Sequence, residues 1–200
     1  PLPGGDKSNE EPWRIAVSLL YKYFGSDFLN MKLPFLRKVP DEKLKFIIQM
    51  IDNKLNCPIS SGAGRLFDAM SALFNICTHS TFHAEAPMRL ESVIDRKCKD
   101  FYPYDNNRTI SFHPMLAEVL DDLKKKKDIG ILSSKFHNTM INCIFDTIVK
   151  ISEETGINKA VLSGGVFQNK YLLENLENRF NLYPNIQLFT HKSIPAGDGG

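Results

Sequence analysis

Val161-Leu162-Ser163-Gly164-Gly165-Val166-Phe167-Gln168-Asn169 decides how this chain is read. Lys159 to Ser163 is a short apolar strand signal, and Gly164-Gly165 breaks it with a tight turn. Gln168 to Phe180 then carries Tyr171, Leu172, Leu173, Leu176 and Phe180 at helical spacing. Past Tyr183-Pro184-Asn185, Ile186 to Thr190 reads as a second strand, followed by the loop Pro195 to Gly200. The order predicts a β-α-β unit over 156–200. Without Cβ atoms, Gly164 and Gly165 let a ligand approach the backbone closely, and the N–H groups of a helix start favour an anion or an electron-rich group. Asn169 offers a donor and an acceptor to a ribose or a base edge. The same glycines also suit a plain turn that needs positive φ, and spacing alone supports the two readings equally.

Outward from this unit, residues 1–155 read as a predominantly helical block. A helix opens at Glu10-Glu11-Pro12-Trp13, shows Trp13, Ala16, Val17, Leu20, Tyr21 and Phe24 on one face, and stops at Gly25. A second follows Pro40-Asp41 with a stripe of Leu44, Ile47, Ile48, Ile51 and Leu55. Ser60 to Gly64 opens a third, with Leu66, Phe67, Met70, Leu73 and Phe74. Ala84 to Ile94 is a fourth, with Met88, Leu90 and Val93. Lys99 to Ser111 reads as a loop or short hairpin, and Pro114 starts a short helix. Asp128 to Glu154 is the longest helical stretch, with Ile131, Phe136, Met140, Ile144, Ile148 and Ile151 spaced for burial, closed by Thr155-Gly156. The Lys124 to Lys127 run is expected to be solvated.

Composition narrows the function. Apolar residues make up 42% of the 200 and charged residues 24%, ordinary values for a folded domain. A net charge of +2 makes no electrostatic case for a nucleic-acid partner. No run approaches the roughly 18–20 apolar residues of a membrane span. The four cysteines, Cys57, Cys77, Cys98 and Cys143, form no CxxC pair, so no zinc or redox motif is indicated; an even count permits two disulfides, but with no signal-peptide pattern reduced thiols in a cytoplasm are expected. His79 and His83 are four apart but flank Ser80-Thr81-Phe82 outside a helical signal. No HExxH, G-x-S-x-G elbow or GxxxxGK[ST] phosphate loop appears. The chain begins on Pro1 and stops on Asp198-Gly199-Gly200 directly after a strand signal, so it reads as a piece of a longer polypeptide.

Two acids stand out. Asp198, between glycines past the C-terminal end of a strand, is a candidate metal ligand, although Asp-Gly is also an everyday turn and on composition alone the turn reading is stronger. Asp68, in Arg65-Leu66-Phe67-Asp68, is placed by helical spacing on the polar side of the third helix, where the helix dipole favours an acid.

Taken together the strings resemble the C-terminal region of the HypF family, the carbamoyltransferases of nickel–iron hydrogenase maturation. The resemblance rests on Leu2-Pro3-Gly4-Gly5-Asp6, Glu11-Pro12-Trp13-Arg14, Ser61 to Gly64 leading into Arg65-Leu66-Phe67-Asp68-Ala69, Phe136-His137-Asn138-Thr139, Leu162 to Asn169, and Pro195 to Gly200, all in family order. It implies a helix-rich α/β chain, the second half of an actin-like ATPase (ASKHA) fold with a helical insert, related to the threonylcarbamoyl-transferring TsaD family. It further implies nucleotide contacts from Gly164, Gly165, Asn169 and Asp68, and a divalent-metal ligand in Asp198. The implied chemistry uses carbamoyl phosphate and ATP, by way of carbamoyl adenylate, to carbamoylate the C-terminal cysteine of a HypE-like partner.

This chain also departs from the family. Phe82-His83-Ala84-Glu85-Ala86-Pro87 replaces a string close to Tyr-Glu-Gly-Gln-Ala-Ala, and losing that glycine removes close backbone approach, so no ligand contact is assigned there. The family's metal-binding histidine pair, its first phosphate loop and its acylphosphatase-like, zinc-finger-like and YrdC-like domains are not in these 200 residues. Alone, the piece is therefore expected to be inactive. The competing readings are a TsaD-like or sugar-kinase-like ASKHA protein acting on another acceptor, and a non-catalytic docking scaffold.

Overall fold

A computed structural model describes residues 1–191 and 196–197. The chain divides into two compact units, Pro1–Val93 and Ile94–Gly200.

The first unit is helical among its described residues: α1 (Lys7–Glu10), α2 (Trp13–Phe24), α3 (Asp41–Asp52), α4 (Ala63–Leu73) and α5 (Glu85–Ser92). Its axis is α2, which packs on α3 and α4. The expected face of α2 is the buried one, with Trp13, Ala16, Val17 and Leu20 essentially inaccessible. Gly25 ends it with φ +55°, its N–H on the Tyr21 carbonyl. The N-terminal segment is tied to the residues after α3 by Leu2 N–H to Pro58 O and Gly4 N–H to Asn56 O, both 2.8 Å.

On α3, α5 and α4 the burial of this unit differs from the expectation. Leu55 lies past the end of α3 and is 61% exposed, while Met50 takes the buried position. On α5, Met88 faces outward, as does Val93 just past its end, and Glu85 is buried at 1% exposure. Its carboxylate is satisfied locally: it accepts the Thr81 backbone N–H and hydroxyl and pairs with Arg89. The third correction is Asp68. From Phe67 to Leu73 every residue of α4 is buried, so the helix has no polar side there and Asp68 is 3% exposed. α2 and α5 both pack on α4.

The second unit holds a hairpin, β1 (Asp105–Asn106) with β2 (Ile110–Ser111), then α6 (His113–Lys124), α7 (Ile129–Thr155), β3 (Lys159–Val161), α8 (Lys170–Asn181) and β4 (Gln187–Phe189). Asp128 caps α7, its carboxylate accepting from Gly130 N–H at 2.8 Å and Ile131 N–H at 3.3 Å. Gly156 closes the helix in the left-handed region with φ +72°. β3 and β4 are parallel, with Ala160 opposite Leu188, and α8 connects them in β-α-β order. α8 packs on α7. The polar residues buried in this unit are paired. Asp122 receives Lys135 at 2.8 Å, Lys127 at 2.7 Å and the Tyr102 hydroxyl at 3.1 Å. Thr139 accepts the Tyr102 N–H at 2.7 Å.

Candidate functional site

Pairing of the parallel strands continues one residue past β3, with Leu162 N–H on the Phe189 carbonyl at 2.9 Å. Ser163 then leaves the strand, its hydroxyl 3.2 Å from His191 Nε2. Gly164 adopts φ +107°, a conformation open to glycine. Its N–H donates to the Ala196 carbonyl at 2.7 Å. A Cβ on Gly164 or Gly165 would meet no described atom within 4 Å, so backbone is bare on that side of the turn. Gly197 is the opposite case: a Cβ there would lie 2.7 Å from Gln168 Nε2 and 3.4 Å from Gly165 Cα. The Gly164-Gly165 turn and the Ala196-Gly197 segment are thus seated together beyond the C-terminal ends of β3 and β4. Open α/β sheets place their ligands at that edge.

The helix does not start on the glycines. One 3-10 turn, Gly165–Gln168, intervenes, and α8 begins at Lys170 with Asn169 as its N-cap. Asn169 Oδ1 accepts the Leu172 N–H at 2.8 Å, satisfying one of the donors a helix start leaves open. Asn169 Nδ2 lies 3.0 Å from His137 Nε2, and the residue is only 9% exposed.

His137, on α7, is wholly buried. Its Nδ1 is 2.8 Å from the Ser133 carbonyl. A carbonyl only accepts, so the proton is assigned to Nδ1 and Nε2 accepts from the Asn169 amide. Burial pushes His137 down to about 4, against the raising effect of the Ser133 carbonyl. The ring of Tyr171 stands edge-to-face with it at 5.8 Å, and the Tyr171 hydroxyl donates to Asn138 Oδ1 at 2.9 Å. Sequence reasoning gave His137 no role. The signal within reach was a histidine beside Phe136, on the expected buried stripe of the longest helix.

Asp68 belongs to the first unit. Arg65 Nη2 stands 3.1 Å from its Oδ2, at an angle that makes no hydrogen bond. Ser71 Oγ and Asn75 Oδ1, three and seven residues further along, are also buried without a hydrogen-bond partner among the described residues. Burial raises Asp68 to about 6, with the Arg65 guanidinium and His83 pulling it down. Asp198 lies outside the described residues. Among the described residues, no group of three His, Cys, Asp or Glu is placed to hold a metal ion.

All 200 residues match the family described as "Carbamoyltransferase, Kae1-like Domain, second subdomain", and the chain belongs to it. The relatives it matches are HypF proteins. It is 29% identical over 202 residues to the probable carbamoyltransferase HypF of Methanocaldococcus jannaschii, covering 98% of this chain and 26% of that one. It is 28% identical to the carbamoyltransferase HypF of a Synechocystis species, covering 86% of this chain and 24% of the relative. Among solved structures, full-length HypF in the phosphate- and nucleotide-bound form superposes with a TM-score of 0.90 at 32% identity, covering 99% of this chain and 26% of that one. The fold is therefore a helix-rich α/β Kae1-like subdomain, and the chain spans about a quarter of the length of these relatives.

Proposed function

We propose that this chain is the part of an ATP-dependent carbamoyltransferase that holds the nucleotide end of a carbamoyl adenylate. The observation that carries the reading is the hydrogen bond from Gly164 N–H to the Ala196 carbonyl, which seats the two glycine motifs together at the ligand edge of the strand pair. In this reading Gly164 and Gly165 present bare backbone to the adenosine, and Asn169 orients it. Asp68, in the first unit with its Oδ2 3.1 Å from Arg65 Nη2, is a separate nucleotide-contact proposal that rests on the family resemblance. The HypF structure on which the chain superposes is a phosphate- and nucleotide-bound form, which supports this ligand class.

Carbamoyl phosphate is hydrolysed to carbamate and phosphate, and carbamate attacks the α-phosphorus of ATP to give the adenylate as pyrophosphate leaves. The thiolate of the C-terminal cysteine of a HypE-like partner attacks the carbamoyl carbon. The new C–S bond forms as the bond to the AMP phosphate oxygen breaks, and AMP leaves with that electron pair. The chain contributes positioning: holding the adenosine fixes the carbamoyl carbon for attack, which removes much of the entropic barrier of a two-body reaction. Asp198 would supply one ligand to a divalent metal, whose chemistry is polarisation of a carbonyl or phosphoryl oxygen.

The test uses the intact protein. Labelled carbamoyl phosphate, ATP and the HypE-like acceptor are combined, and label on the acceptor cysteine is followed for wild type and Asp198→Asn. Transfer should collapse in the variant while carbamoyl-dependent ATP–pyrophosphate exchange survives. Unimpaired transfer would remove Asp198 from the metal site, and no transfer by wild type would reassign the acceptor.

A further inference from the structure

We propose that His137 is a positioning residue for the nucleotide site: its Nε2 lone pair, aimed by the Ser133 carbonyl, locks the Asn169 amide in one of its two orientations. This inference rests on the reading of Gly164, Gly165 and Asn169 as nucleotide contacts.

The Asn169 amide lies between two groups of opposite kind. Leu172 N–H, at 2.8 Å, demands an acceptor, and His137 Nε2, at 3.0 Å, demands a donor. Only one orientation satisfies both. The flipped amide would set N–H against N–H and oxygen against a lone pair. The histidine meets its half of this condition only in the Nδ1–H tautomer, which the Ser133 carbonyl at 2.8 Å favours over acceptance from the more distant Ser133 hydroxyl at 3.4 Å. The ring itself cannot drift, since it is 0% exposed and flanked by Phe136 and Tyr171 at 5.6 and 5.8 Å. A chain of polar contacts therefore runs from α7 to the first turn of α8. With one N–H and one lone pair of the amide committed, its second N–H and second lone pair face in a fixed sense. The rest of the Phe136-His137-Asn138-Thr139 string clasps its surroundings. Asn138 donates to the Cys98 and Asp100 carbonyls at 3.2 and 2.9 Å, and Thr139 binds the Tyr102 backbone.

The experiment measures ATP affinity of the intact protein for wild type, His137→Leu, His137→Gln, Asn169→Ala and the double variant His137→Leu/Asn169→Ala. Leaving a buried amide donor unmatched should weaken ATP binding about tenfold in His137→Leu. His137→Gln, whose carbonyl reaches the place of Nε2, should bind within about threefold of wild type, as expected if one accepting atom is what matters. The double variant should bind no more weakly than Asn169→Ala, because the two side chains act as one unit. Nitrogen NMR of the wild-type histidine should show the neutral Nδ1–H tautomer at pH 7, a result that holds even where His137→Leu fails to fold. Equal loss in the Leu and Gln variants, additive losses in the double variant, or an Nε2–H tautomer would overturn the inference. Wild-type affinity in His137→Leu alongside a weakened Asn169→Ala would overturn it while leaving the nucleotide reading intact. Wild-type affinity in Asn169→Ala would remove Asn169 from the nucleotide site and take the inference with it.

Discussion

Asp68 and His137 are both buried, and burial moves them in opposite directions because it opposes charge of either sign. Asp68 rises from 3.8 to about 6, so the folded chain binds its proton more tightly than the unfolded chain does. The stability tied to that proton is complete below pH 4 and is lost as the pH rises through 6. His137 falls from 6.5 to about 4, so the unfolded chain takes up its proton first. Its contribution is complete above pH 6.5 and is lost as the pH falls towards 4. Each pKa unit corresponds to about 1.4 kcal/mol, so both effects are large enough to see. Melting curves between pH 4.5 and 7.5 should therefore diverge in opposite senses. Relative to wild type, Asp68→Asn should lose stability on acidification from pH 7 to 5, and His137→Gln should gain it. Parallel curves for wild type and either variant would contradict the burial of that group.

At the scale of the element, α7 does two jobs with one sequence. Its second half, from Ile144 onward, is partly exposed, and Ile151 is 49% exposed. Its first half is buried on nearly every side, including Ser133, Ser134, Lys135, His137 and Thr139. A helix buried all round must pair each polar residue it carries. Ser134 does so through the Asp95 and Gly130 carbonyls at 2.9 and 2.7 Å. The whole arrangement hangs on a start fixed by Asp128. Asp128→Ala should cost about 1 kcal/mol, as N-cap losses do. It should also raise amide exchange at Gly130 and Ile131 ahead of the rest of the helix. A urea midpoint and exchange pattern identical to wild type would mean the cap is idle.

At the scale of the molecule, each unit has its own core, and the second contains a buried charge cluster. Asp122, Lys135 and Tyr102 are 4%, 8% and 0% exposed. The Lys135 ammonium sits 3.9 Å from the Tyr102 ring centroid as well as on Asp122. A pair of this kind adds little over apolar packing, yet removing one partner strands the other. Asp122→Ala should therefore destabilise the second unit by about 3–5 kcal/mol, read as a fall in the urea midpoint. A loss below about 1 kcal/mol, the range of surface pairs, would show that Lys135 reaches solvent instead.

The order of elements was legible in the sequence because its punctuation is local. Gly25, Asp128 and Gly156 act through their own φ angles or the nearest N–H groups, and helix boundaries follow within a residue or two. The β-α-β order and the glycine turn were legible for the same reason, together with the period of the apolar residues. The site's wiring was not. Helical spacing put Asp68 on a polar face because it counts residues on one helix and is blind to the packing of α2 and α5 on α4. Nothing near Asn169 in the sequence names His137, 32 residues away, as its partner, nor Ala196 as the acceptor for Gly164. Local chemistry determined which elements form and where they stop. Only the tertiary structure decided which polar groups meet, because a buried donor or acceptor takes whatever partner the packing brings within about 3 Å.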